Sequence, residues 1–200
     1  MDPIAVLMEE HRVIEVVLGC LRKMSDYTTT TGQVEGASAR KAIEFFRMFA
    51  DQCHHGKEET YFFPFVESLG FPREGGPTGV MLAEHEEGRA LVREMAAAVS
   101  AAERGETSGG EDFVFAADRF VALLSSHIEK EDHCLFSMAR DRMSPEDAQF
   151  LAAQFAAAGR EIGEGTHEGY RRLADELAET FGVAKAQGVF EDAWTFSCGH

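Results

Sequence analysis

Cysteine is scarce in this chain and never closely paired: Cys20, Cys53, Cys134 and Cys198 are spread over 200 residues with no Cys-x-x-Cys. That spacing speaks against a zinc ribbon and against a thioredoxin-like redox pair, and it makes a reducing cytoplasm the expected compartment. Basic residues are also few. Nineteen Lys plus Arg face 35 Asp plus Glu, a formal charge of −16 that repels a phosphate backbone, so no nucleic-acid partner is expected. No apolar run approaches the length of about 20 residues needed to span a bilayer, and the opening Met1-Asp2-Pro3, followed by Glu9 and Glu10, lacks the basic start and apolar run of a secretory signal. No membrane partner is expected either. A Gly-rich phosphate loop and a Gly-x-Ser-x-Gly nucleophile elbow are both missing, which leaves nucleotide-dependent and hydrolase chemistry without an anchor.

Period-two alternation is absent over any useful length and proline is rare inside the periodic segments, so the chain reads as all-α. Asp2 before Pro3 has the form of an N-cap with proline at the first helical position, and Ile4, Leu7, Ile14, Leu18 and Leu21 continue a first helix to about Tyr27. After the break at Thr28 to Gly36, a second helix begins behind Ser38 and is expected to end or bend at Pro64. A third runs from the loop around Gly75-Gly76-Pro77 to about Gly105, and a fourth from about Phe113 to Arg140. Ser144-Pro145-Glu146-Asp147 opens a fifth helix, and a sixth follows a break near Gly159 to Gly165. These spacings predict one domain over 1–200: an antiparallel up-down-up-down four-helix bundle (1–140) with two extra C-terminal helices (141–200) packed on it.

Histidine and glutamate dominate the polar interruptions of the apolar seams. Helix one reads Leu7, His11, Ile14, Leu18; helix two reads Met48, Gln52, His55, Glu59, Phe62, Val66. Helix three reads Met81, His85, Gly88, Val92, Met95; helix four reads Phe120, Leu124, His127, Glu131, Cys134, Met138. Each series keeps three- and four-residue steps, so its polar members are predicted to point inward. Buried imidazoles and carboxylates without partners destabilise a fold by roughly 1–3 kcal/mol per unpaired polar group, and metal ions are the compensation that suits this donor set.

Helices two and four also repeat each other, His55-x-x-x-Glu59 matching His127-x-x-x-Glu131. A His and a Glu four apart share a helix face at roughly 5–6 Å, so two such pairs can hold two metals, the carboxylates bridging. Nitrogen mixed with carboxylate oxygen suits iron first, with manganese or zinc possible by the same logic. The expected metal ligands are thus His11, His55, Glu59, His85, His127 and Glu131. A site enclosed by Phe62, Met48 and Leu124 would be dry, which favours a small diatomic ligand or peroxide as the bound partner.

The lone His11, the two His-x-x-x-Glu pairs, Phe63-Pro64 and Glu84-His85-Glu86 make residues 1–140 resemble the hemerythrin-like family, the HHE cation-binding domain. The resemblance implies a four-helix bundle around two iron ions of the Fe-O-Fe type. The chain departs from oxygen-carrying members, which place a second histidine four residues after the one on the third helix; here that position is Arg89. The ligand set is more similar to that of the iron-sulfur-repair and iron-sensing relatives. Asp132, at the family's aspartate spacing, is the runner-up to Glu131, and His167 on the sixth helix is the candidate for the missing imidazole.

His54, Arg89, Asp132 and Glu164 are expected to support the ligands from outside, His133 to be exposed, and Cys134 to be a small buried side chain. The functional expectation is a non-haem di-iron protein acting on oxygen, peroxide or nitric oxide as sensor, scavenger or iron handler. Its competitor is a metal-stabilised helical interaction module without catalytic activity, its protein partner unidentified.

Overall fold

The computed structural model describes residues 2–163 and 165–186. Among them are six helical rods and no strand: α1 (Pro3–Thr31), α2 (residues 36–68), α3 (Pro77–Glu103), α4 (residues 109–140), α5 (Pro145–Ile162) and α6 (Thr166–Phe181). The Asp2 side chain accepts from the Ile4 N–H, satisfying one donor of the first turn of α1, with Pro3 in the position where a missing N–H does no harm. At the other end Gly32 takes a left-handed φ of 71° and returns its N–H to the Thr28 carbonyl, which lets α1 run four residues past Tyr27 (31 − 27). Ser144 and Asp147 cap α5 reciprocally, side chain to backbone in both directions.

Two rods are not regular α-helices throughout. In α2 the stretches Phe46–His55 and Glu58–Phe62, and in α4 the stretch Glu131–Leu135, wind in wide π turns. Gly56 N–H reaches Asp51 O, Phe63 N–H reaches Glu58 O, and Phe136 N–H reaches Glu131 O, each five residues back. A wide turn takes about one residue more than an α turn, so it shifts the buried face along the sequence. The buried face of α2 therefore runs Phe45, Phe49, His54, Glu58, Phe62, Val66, while Met48 is half-buried and Gln52 is exposed. The helix also passes Pro64 and continues to Ser68, because the proline follows directly on a wide turn where the hydrogen-bond ladder is already irregular.

Packing joins α1 to α4 and α6, α3 to α4, α2 to α3 and α6, and α5 to α1 and α2. The core has two apolar parts. One contains Ile14, Leu21, Phe45, Phe46, Phe49, Met95, Phe113 and Phe120, with Ala174 and Leu177 of α6 added from the side. The other contains Ile4, Leu7, Phe62, Phe63, Met81, Leu135 and Phe136, with Leu151 and Phe155 of α5. Along each of α1 to α4 the buried histidines and glutamates fall between the two parts. A polar layer thus crosses the bundle with hydrocarbon above and below it.

Candidate metal centre

Seven side chains converge in that layer. His55, Glu58, His85 and His127 offer nitrogen and oxygen atoms within 4.8 Å of one another, and so do His11, His54, Glu58 and Glu131. Glu58 belongs to both groups: its Oε1 lies 3.4 Å from His54 Nε2 and its Oε2 3.5 Å from His85 Nε2. Glu131 Oε2 lies 3.3 Å from both His11 Nε2 and His127 Nε2, so it too stands between the groups. All seven are buried.

The ring nitrogens are sorted by an outer shell of carboxylates. His11 Nδ1 donates to Asp132 (2.7 Å), His54 Nδ1 to Glu10 (3.0 Å), His85 Nδ1 to Glu59 (2.7 Å) and His127 Nδ1 to Glu84 (2.9 Å). Each bond fixes the proton on Nδ1 and leaves the Nε2 lone pair aimed at the layer, the arrangement that orients a metal-binding imidazole and raises its basicity. His55 has Asp51 on its Nδ1 side at 3.6 Å. A third shell of cations holds the carboxylates in turn: Arg12 on Asp132, Lys57 on Glu10, Arg89 on Asp51 and Glu59, Lys130 on Glu84.

Apart from His85 Nε2 and His127 Nε2, which lie 3.2 Å from each other, the inward atoms lack a hydrogen bond. His11 Nε2, His54 Nε2, both nitrogens of His55 and all four carboxylate oxygens of Glu58 and Glu131 are buried with no hydrogen bond. Burial pushes the Glu58 carboxyl well above the usual carboxylate range, and the nearby Glu131 charge adds to it. Burial raises Glu131 too, but His127 and His11 outweigh it and hold it well below. Burial and the other imidazoles take His55 well down and His54 to about 4, whereas Glu131 and Glu84 overcome burial at His127 and lift it to about 9. Protons alone leave this cluster divided into mismatched charges. Cations set among the orphaned oxygens and Nε2 atoms would satisfy all of them, and the donor set of imidazole and carboxylate fits first-row metals.

Of the residues expected from sequence, His11, His55, His85, His127 and Glu131 are brought together and Glu59 is not. The Glu59 side chain is 28% exposed and turned to Arg89 and to the outer nitrogen of His85. Glu58 takes the place between the groups, because the wide turns advance the buried face of α2 by one residue. For the same reason His54 stands inside with His55 instead of beside it, and supplies the fifth imidazole of the cluster. The two form a triangle with Glu58 at three- and four-residue spacing, a signal that His54-His55-x-x-Glu58 carries once both histidines are allowed inward. His167 approaches Glu10 at 3.3 Å and belongs to neither group. Asp132 bonds His11 Nδ1 and Arg89 bonds Glu59, both outside the two groups, while Glu164 lies outside the described residues. His133 is exposed, and so is Cys134, since the wide turn after Glu131 puts Leu135 and Phe136 on the buried face.

A helical bundle with a buried layer of histidines and carboxylates defines a cation-binding bundle protein. The family model of the hemerythrin HHE cation-binding domain matches residues 2–139, and the chain belongs to that family. It is also similar to uncharacterized proteins of Mycobacterium bovis and of two strains of Mycobacterium tuberculosis, each 25% identical over 186 residues that cover 92% of this chain and 70% of the relative. No solved structure matches the chain.

Proposed function

We propose that this chain is a cytoplasmic non-haem di-iron protein whose two metals bind or react with a small molecule, oxygen, peroxide or nitric oxide. The observation that carries the reading is the pair of four-residue groups sharing Glu58, with seven inward-facing donor atoms that have no hydrogen bond. One metal would be held by His55, His85 and His127, the other by His11 and His54, with Glu58 and Glu131 between them. Iron so held supplies electrons and a Lewis-acid position for a diatomic or peroxide ligand. The second group has one imidazole fewer and a second carboxylate in its place.

The protein's own contribution is orientation and dryness. Asp132, Glu10, Glu59 and Glu84 keep Nε2 of four imidazoles turned inward, and Phe136 stacks on His11 at 5.5 Å while Phe63 stacks on His85 at 5.6 Å, closing the layer to bulk water. An up-down-up-down course for α1 to α4 within a single unit is part of the proposal. It is supported by the order in which each helix meets the two apolar parts: α1 and α3 begin in the part holding Phe62, whereas α2 and α4 begin in the part holding Phe45. No described helix is long and apolar enough to cross a membrane.

The test is metal analysis of the purified full chain with absorption spectra before and after oxygen, peroxide and nitric oxide. About two irons per chain and a spectrum that changes with at least one of the three are expected. A metal-free protein, or a loaded one inert to all three, overturns the reading, and the inert case favours the structural role of the interaction module.

A further inference from the structure

The metal layer does not end at the residues matched by the family model. On α6, beyond position 139, His167 sets its Nε2 3.3 Å from Glu10 Oε1. Glu10 is 1% exposed and has its other oxygen on His54 Nδ1, while His167 is 23% exposed. The imidazole of His167 also lies against Phe49, ring centroids 5.0 Å apart, one turn before His54 in α2. A chain of contacts therefore leads from the rim through Glu10 to a single member of the layer. Glu10 is held by Lys57, His54 and His167 together, so burial fails to raise its carboxyl and it stays well below the usual range.

Resting on the metal reading above, we propose that His167 is a positioning residue through which the C-terminal helix α6 sets the affinity of one metal and not the other. Three observations converge on it. Among the described residues, Glu10 is the outer carboxylate of the layer gripped by a residue from outside the first four helices. The residue that Glu10 orients, His54, belongs to the group with fewer imidazoles, where the loss of one well-aimed nitrogen matters more. And α6 is anchored to α1 by Ala174 and Leu177 in the larger apolar part of the core, so a shift of α6 would move His167 relative to Glu10. Coupling of this kind makes the docking of α6 and the occupancy of the His11–His54 group linked equilibria, each biasing the other by the same factor.

The test loads the full-length chain with ferrous iron without oxygen and measures each site's affinity by chelator competition, together with the Mössbauer spectrum of protein loaded with enriched iron. His167→Ala is expected to weaken one of the two irons about 10–100-fold and to perturb one of two iron environments. His167→Phe keeps a ring against Phe49 but removes the nitrogen, so it gives the same loss and replaces the alanine variant if that one does not fold. His167→Gln retains a donor towards Glu10 and recovers most of the affinity. Leu177→Ala, which loosens α6 without touching Glu10, lowers thermal stability and weakens the same iron less than His167→Ala does. Wild-type affinity at both sites in His167→Phe overturns the proposal and leaves the di-iron reading intact. A wild-type chain that binds no metal overturns both.

Discussion

Arg89 Nη2 donates to Glu59 Oε1 at 2.7 Å, and this contact holds the second of two adjacent glutamates outside the polar layer. The guanidinium holds Glu59 on the outer side of His85 and also reaches Asp51, while the wide turns of α2 put Glu58 on the inner side. Arg89 occupies the position expected from oxygen carriers to hold a histidine, and it is fully engaged there. Burial works against its charge but Asp51 and Glu59 outweigh that and raise its pKa further.

Adjacent substitutions should separate the two glutamates. Glu58→Gln is expected to reduce binding from about two metals per chain to one or none, since a shared carboxylate is lost, whereas Glu59→Gln keeps both with about 10–100-fold weaker affinity. Metal content after gel filtration reads the difference, and equal behaviour of the two variants would refute the assignment.

Glu58 should also destabilise the metal-free chain. Its folded-state pKa is raised well above 4.5 by burial and by Glu131, so its contribution is present below 4.5 and is lost as pH rises through the folded value. Metal-free Glu58→Gln is therefore expected to melt above the metal-free wild type at pH 7, by about 2–4 °C for each kcal/mol recovered in a chain of this size. Melting curves at pH 4 and pH 7 check it, with the gap closing at the lower pH.

Removal of metal should lower stability in the wild type. When free metal exceeds the dissociation constant about a thousandfold, each site contributes about 4 kcal/mol, which a chelator abolishes. Acid should have the same effect, because imidazoles and carboxylates must shed protons to bind a cation. Calorimetry with and without chelator measures the first, and metal release during a pH titration the second.

The outer carboxylates should matter for affinity more than for folding. Glu84 is held by Lys130 and accepts from His127 Nδ1 at 2.9 Å, on the partly exposed side of the layer. Glu84→Gln is expected to weaken binding about 10–100-fold with little change in the melting temperature of the metal-free chain. Wild-type affinity in this variant would show that the outer contact does not tune the site.

The wide turn in α4 makes a packing prediction. Leu135 is buried beside Phe136 and Cys134 is exposed, so Leu135→Ala should cost about 2–5 kcal/mol while Cys134→Ser stays within about 0.5 kcal/mol. Denaturant unfolding of both variants compares them, and the reverse order would place the buried face of α4 where an unbroken α-helix puts it.

Local rules made most of the helices legible. Asp2-Pro3 and Ser144-Pro145 mark helix starts by capping chemistry, and the seams of α1 and α3 obey the 3.6-residue period from end to end, so His11 and His85 could be placed inward from sequence alone. The internal repeat of α2 and α4 likewise pointed to His55, His127 and Glu131. What sequence by itself determined is therefore the helical class and the presence of a buried histidine–carboxylate layer, because both follow from periodicity within single helices. Tertiary structure decided the membership of that layer. Whether α2 winds with five-residue turns depends on what presses on it from its neighbours, and those turns choose Glu58 over Glu59 and bring His54 in beside His55. The grip of His167 on Glu10 joins positions 157 residues apart (167 − 10), and no local pattern encodes a contact that only the packing of α6 against α1 creates.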